Sequence, residues 1–197
     1  MNWIKDLIPN IKRNFSQTLG DKDSKVPEGL WRSCDSCGSI LYIPELKKSS
    51  YVCSKCSHHF KINVEQRIEV TFDKDSYVDL NQHEEFKDLL DFKDTKKYKD
   101  RFSEAKKKTS SDEAISIGHG KINGKQVVSA IFEFDFLGGS MGGVVGKRFA
   151  QAIDYAVENK LPLICFSTSG GARMQESMIS LFQMGKTAAA VKKLKKS

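Results

Sequence analysis

The run Leu161-Pro162-Leu163-Ile164-Cys165-Phe166-Ser167-Thr168-Ser169-Gly170-Gly171-Ala172-Arg173 decides the fold of the larger part of this chain. Residues 161–166 are wholly apolar and too few for an ordinary helix, so they read as a buried strand of a parallel sheet. Ser167 to Arg173 then switch to hydroxyls and glycine, which reads as a turn. That turn opens a helix with Met174, Met178, Leu181, Phe182 and Ala189 on one side. Working upstream, a helical stripe of Val145, Phe149, Ala152, Ile153 and Ala156 precedes the strand, and the glycine-rich loop from Leu137 to Gly143 precedes that helix. Before the loop, Ile115 and Ile117, an Asn123-Gly124 pair and the stretch Val127 to Phe136 give a strand, turn, strand signal. Asn-Gly suits the positive φ values of a type I′ turn. Strands that feed helices in this order predict an α/β layer structure.

Residues 64–112 are mainly polar with helical patches, and the charge-rich run Lys96 to Lys108 reads as a solvated helix face. At the N-terminus Trp3, Ile4, Leu7, Ile8, Ile11 and Phe15 recur at helical spacing, which predicts an amphipathic helix over 2–16. Its polar face is not strongly basic, so docking on protein is favoured over a membrane surface. A linker follows, and residues 1–29 form one unit, with further units at 30–60 and 61–197.

Within 30–60, Cys34-Asp35-Ser36-Cys37 and Cys53-Ser54-Lys55-Cys56 are separated by 15 residues, inside the spacing window of four-cysteine zinc sites. Each pair places two sulfurs on one side of a tight turn, and two such turns close a tetrahedral shell around one ion. Gly38 relieves the first turn. The alternatives are four buried thiols or two disulfides, with His58 and His59 as competing ligands. A shell closed by four sulfurs has no position for water, so the zinc is structural, and it substitutes for a core that roughly 30 residues cannot build.

The net charge of +7 invites a nucleic-acid reading, but Lys192, Lys193, Lys195 and Lys196 supply four of those charges. A zinc ion on four thiolates adds about −2, which leaves about +1 for the rest. Cysteines in two close pairs suit a reducing cytoplasm. No stretch approaches the roughly 20 apolar residues of a membrane span, and Asp6 interrupts any secretory apolar segment. A soluble cytoplasmic protein is expected.

Familiar catalytic motifs fail on inspection. Gly146-Lys147 is followed by Arg148, where a phosphate-binding loop needs Ser or Thr, and the glycines at 138, 139, 142, 143 and 146 do not fit a dinucleotide fingerprint. Ser169 lacks the glycine at 167 that a nucleophile elbow requires. What remains is a strand running into Gly170-Gly171-Ala172 and a helix N-terminus, where amides without intrahelical partners can meet an oxyanion. Taken alone, such glycine pairs are commonly plain turns.

The context changes that weighting. Cys34-Asp35-Ser36-Cys37-Gly38, Lys97-Tyr98-Lys99-Asp100-Arg101, Phe132-Glu133-Phe134, Gly138-Gly139-Ser140-Met141-Gly142 and Ser169-Gly170-Gly171-Ala172-Arg173-Met174-Gln175-Glu176 closely resemble the carboxyltransferase β subunits of bacterial acetyl-CoA carboxylases, from Trp3 to about Ala190. The resemblance implies an α/β chain in which a zinc ribbon precedes part of a crotonase-like (ClpP/crotonase) domain. It implies transfer of the carboxyl group from carboxybiotin, carried on a biotin carboxyl carrier protein, to acetyl-CoA, giving malonyl-CoA for fatty-acid synthesis. Its implied partners are a carboxyltransferase α subunit in an α2β2 assembly, the carrier protein and biotin carboxylase, which uses the ATP. The backbone amides of Gly170, Gly171 and Ala172 correspond to the first oxyanion turn. Gly138, Gly139, Gly142 and Gly143 are expected beside the substrate cleft. Family members continue for about another hundred residues, with a second Gly-Gly turn supplying partner donors. The expectation is therefore a fragment or truncated product that cannot catalyse alone.

A rival reading makes the ribbon a nucleic-acid-binding module with a regulatory role, since Lys47, Lys48, Lys55 and Lys61 surround it. Asp35, Glu45 and the lack of aromatics interleaved with the basic residues count against it.

Overall fold

The computed structural model describes residues 29–195. The helix expected over 2–16 lies outside them, as do most of its linker and Lys196.

A two-stranded antiparallel ribbon, β1 (Trp31–Ser33) and β2 (Ile40–Tyr42), opens the described chain and runs into a short helix, α1 (Ile43–Lys48). Its own small core consists of Cys34, Leu41, Leu46, Tyr51, Cys53 and Phe60. Helix α2 (Val64–Thr71) starts at Asn63 with a reciprocal cap: the Asn63 side chain accepts from the Gln66 amide at 2.8 Å, and the Gln66 side chain accepts from the Asn63 amide at 3.1 Å. The next donor, the Val64 amide, reaches the Glu133 carboxylate at 3.1 Å and so ties this helix start to the end of the main sheet.

That sheet has the order β3 (Val78–Asp79), β4 (Ile115–Ile122), β5 (Lys125–Phe132), β6 (Leu163–Phe166). The first three pair antiparallel, and β5 pairs parallel with β6 through the crossover helix α4 (Gly143–Glu158). The β4–β5 turn has φ 49° at Asn123 and 76° at Gly124, as the Asn-Gly pair predicts, and the Asp73 carboxylate accepts from both amides. Strand β5 stops at Phe132, short of Phe136. Phe136 instead turns inward and is wholly buried with Ile115, Ile117, Val128, Val145, Ala152 and Ala156. The amphipathic stripe of α4 therefore faces the sheet, while α3 (Tyr98–Thr109) keeps its lysines in solvent and buries Tyr98 and Ala105.

Two expectations need correction. Strand β6 is parallel but not fully buried: Cys165 is exposed, because among the described residues β6 is the last strand of the sheet. The turn at 170–172 does not open directly into the long helix. A single 3-10 turn (Met174–Glu176) comes first, then Ser177 at φ 47° breaks the chain direction, and only then does α5 (Met178–Leu194) begin. The apolar side of this segment, Met174, Met178, Leu181 and Phe182, faces solvent, and α5 packs on α4 with Gln183 against Gly146, while Ser180 donates back to Arg173 O.

Candidate functional site

The two cysteine pairs are built by the same local rule. Cys34 accepts through its carbonyl from the Gly38 amide and donates its own amide to Ser39 O, both at 2.9 Å. Cys53 does the same with Ser57 at 2.9 Å and His58 O at 2.8 Å. The fourth residue after each first cysteine is left-handed, φ 69° at Gly38 and 59° at Ser57. These twin turns bring all four Sγ atoms within 4.8 Å of one another, with Cys34–Cys56 at 3.7 Å and Cys37–Cys53 at 3.8 Å. A tetrahedron of sulfurs about 2.3 Å from zinc has edges of about 3.8 Å, so the donor set fits the ion, whereas disulfide sulfurs sit at about 2.05 Å. Hydrogen bonding from the Ser39 side chain and amide pulls the Cys37 thiol below its ordinary value, whereas the three neighbouring thiols help push Cys56 up, so a cation among the four sulfurs is what lets all of them ionise together. His58 and His59 stand outside the cluster: His58 packs edge-on against Phe60 and His59 pairs with Val52. Of the surrounding lysines, Lys47 pairs with Glu69 at 3.3 Å and Lys61 with Asp135 at 3.0 Å, which lowers the free positive charge near the ribbon.

The glycine-rich turn and the glycine-rich loop are stitched together. Met141 donates its amide to Gly171 O and accepts the Arg173 amide, both at 2.9 Å, as a parallel bridge opposite Ala172. The Gly138 carbonyl lies 3.0 Å from where a Cβ on Gly170 would stand. Within the turn, the Gly171 amide is bound by Ser169 Oγ at 2.9 Å, whereas the amides of Gly170 and Ala172 have no hydrogen-bond partner among the described residues. Residues 169–172 are exposed. Gly171 holds φ 90°, a conformation that side chains with Cβ rarely adopt. Of the three expected donors, two are therefore free and one is engaged by a neighbouring hydroxyl. Because a 3-10 turn and the break at Ser177 intervene, the first amides of α5 do not belong to this turn. Orientation of the Ala172 amide rests on the bridge to Met141, while Gly170 is packed close against the Gly138 carbonyl.

Cavities lie on either side along the chain. One of about 460 Å³ is lined by Lys61, Arg67, Phe134, Phe166, Ser167 and Thr168, just before the turn. Another of about 330 Å³ is lined by Tyr98, Phe102, Glu113, Gly143, Gln175 and Glu176, just after it.

Beneath the turn is a feature that sequence reading missed. Arg173 is wholly buried and donates to Glu113 at 2.5 and 3.1 Å, to Ser140 O at 3.0 Å, to Ser140 Oγ at 3.2 Å and to Glu176 at 3.2 Å. Burial alone would disfavour its charge, but Glu113 and Glu176 hold the guanidinium firmly protonated. The one local signal was the spacing of Arg173 and Glu176, three residues apart.

With this geometry in hand, residues 61–197 match the carboxyl transferase domain, and residues 31–56 match the acetyl-CoA carboxylase zinc finger domain. The chain belongs to the carboxyl transferase domain family, of the acetyl-CoA carboxylase β type. Its fold is accordingly mixed α/β and crotonase-like, with the four-cysteine ribbon ahead of it. Among solved structures it is similar to transcarboxylase 12S (23% identity, TM-score 0.50, covering 74% of this chain and 24% of that one). It is also similar to the Pseudomonas malonate decarboxylase MdcD-MdcE hetero-dimer (24% identity, TM-score 0.48, covering 68% and 48%). The P. aeruginosa geranyl-CoA carboxylase β subunit is more distant at 17% identity and TM-score 0.47, covering 75% and 23%. This carboxyl transferase chain thus spans half or less of the length of these relatives. No helix among its described residues is long and apolar enough to cross a membrane.

Proposed function

We propose that this chain serves as the β subunit in the carboxyltransferase of an acetyl-CoA carboxylase, moving the carboxyl group of carboxybiotin to acetyl-CoA to form malonyl-CoA. The observation that supports the reading is the pair of exposed amides at Gly170 and Ala172, without hydrogen-bond partners among the described residues, the second held by the bridge to Met141. Loss of a methyl proton turns the thioester carbonyl into an enolate oxygen, and backbone donors already aimed at that oxygen stabilise the charge without reorganisation. Among the described residues no side-chain triad stands at the turn. This is compatible with the ureido nitrogen of biotin taking the proton once CO2 has left, while the protein positions the reactants. The zinc ribbon acts structurally, since its four sulfurs close the shell. A carboxyltransferase α subunit, the biotin carboxyl carrier protein and biotin carboxylase are the partners this role requires, and the cytoplasm is the compartment it fits.

The activity is expected of the assembly that contains this chain, not of the chain by itself. The test is to isolate that assembly through a tag on this chain and to supply carboxybiotin with acetyl-CoA or with longer acyl-CoA thioesters. Malonyl-CoA as the dominant product is the expected result. Faster transfer to a longer acyl-CoA would overturn the acetyl-CoA assignment, and no transfer to any thioester would overturn the reading as a whole.

A further inference from the structure

We propose that Glu176 is a positioning residue, whose carboxylate sets the spacing between the 170–172 turn and the glycine-rich loop at 138–143. The inference rests on the carboxyltransferase reading for its catalytic consequence, but not for its geometry.

Three segments far apart in sequence meet on this one carboxylate. Its Oε2 accepts the backbone amide of Gly143, the first residue of α4, at 2.6 Å. Its Oε1 accepts the Tyr98 hydroxyl at 2.6 Å and an Arg173 guanidinium N–H at 3.2 Å. Tyr98 is fixed in turn by edge contacts with Phe86 and Phe102. Arg173 is fixed by Glu113, whose Oε1 also accepts the Ala114 amide at 2.8 Å. Glu176 thus links the start of α4 to the two residues on which its own orientation depends.

The link reaches the turn through the backbone. Arg173 follows Ala172 directly, and its amide is bound to Met141 O, so any shift of the Arg173 side chain is transmitted to the free amide of Ala172. On its Gly142 side the carboxylate is closely packed: a Cβ on Gly142 would stand 2.5 Å from Glu176 Oε1 and 2.8 Å from Arg173 Nη1. A cluster with one buried carboxylate, Glu113, one partly buried carboxylate, Glu176, and a buried guanidinium is a poor choice for stability alone, because desolvation offsets much of the attraction. It is a good choice for geometry, since each bond has a fixed direction and length. The about 330 Å³ cavity lined by Gly143, Gln175, Glu176, Tyr98 and Glu113 also shows that the cluster borders a cleft instead of filling the core.

The experiment compares Glu176→Gln and Tyr98→Phe with wild type in the assembled enzyme, and follows the Gly143, Gly170 and Ala172 amide resonances in the 15N-labelled chain. Glu176→Gln keeps the size but replaces one acceptor with a donor. A misplacement of about 1 Å can lower a rate by roughly 10²-fold. The expected result is a fall in kcat of that order with acyl-CoA KM within about threefold, because ground-state binding does not need the amides aligned. The Gly143 and Ala172 resonances should shift together. Tyr98→Phe removes one bond and leaves the ring, so it should show the same pattern at smaller size even if Glu176→Gln fails to fold. Unchanged kcat and unchanged Ala172 resonance in a folded variant would overturn the proposal. So would a rise in KM with kcat intact. If the wild-type assembly transfers no carboxyl group, the functional reading falls, while the joint shift of Gly143 and Ala172 still decides whether Glu176 couples the two segments.

Discussion

Met141 and Ala172 face each other across a parallel bridge in which Met141 donates to Gly171 O and accepts from Arg173, leaving the Ala172 amide free. One hydrogen-bonded residue in the glycine-rich loop therefore aims the donor of the other motif. The arrangement ties the loop to the turn through two hydrogen bonds, and it makes the amide of Ala172 a point where a single donor can be removed.

Ala172→Pro deletes that N–H. Proline at this position leaves the Arg173 amide and the Gly171 carbonyl available for the Met141 bridge. With the assembled enzyme, carboxyl transfer is expected to fall about 10²- to 10³-fold, the usual consequence of losing one oxyanion donor. Ala172→Ser, which retains the amide, is the control and should stay within a few-fold of wild type. Steady-state rates with saturating acyl-CoA check both. Equal loss in the two variants would show that the side chain, not the amide, matters.

Zinc removal should act on one part of the chain only. Among the described residues the ribbon core is small, Cys34, Leu41, Leu46, Tyr51, Cys53 and Phe60 with Ile62 and Val70 packed against it, too little to fold without the ion. Chelation at neutral pH is expected to release one zinc per chain and to open cleavage by trypsin after Lys47, Lys48 and Lys55, while residues 64–195 stay resistant. Mass spectrometry of the fragments reads this directly. Retained protection at 47–55 after complete loss of metal would show that the small core suffices.

How much of this was legible in the sequence follows from how local each feature is. The cysteine spacing, the Asn123-Gly124 turn and the stripe of α4 are short-range chemistry, and the structure has them where the residues imply. The Arg173 cluster was not legible, because its partners Glu113, Tyr98 and Ser140 come from other elements and nothing in the local pattern distinguishes them from solvated polar residues. Periodicity marked Met174, Met178, Leu181 and Phe182 as one side of a helix but could not say what would cover it, and Phe182 is 68% exposed. The break at Ser177 escaped notice for a related reason: serine does not advertise a positive φ, whereas glycine does.

Arg148 provides the test of pH dependence. Sequence reading used it only to reject a phosphate loop, yet its side chain is 1% exposed and forks onto Asp112 at 2.8 and 2.7 Å, with further bonds to Ile115 O and Gln82 O. Hydrogen bonds from Arg148 hold the Asp112 carboxyl below the ordinary carboxylate range, against a smaller opposing effect of burial. A lowered value in the folded state means the folded protein binds the proton less readily than the unfolded chain. The pair's contribution is therefore fully present above the unfolded value of about 3.9 and is lost as pH falls through the lower folded value. Asp112→Asn removes the titrating group. Its melting temperature should lie below that of wild type at pH 7, and the gap should close as the pH is taken from about 4 downward. Arg148→Ala should lower the melting temperature further at neutral pH, because it empties a buried side-chain site and leaves the Asp112 carboxylate and the Ile115 and Gln82 carbonyls without this donor. A gap between wild type and Asp112→Asn that stays constant between pH 7 and pH 2.5 would mean that the ion pair seen in the fold contributes nothing through its charge.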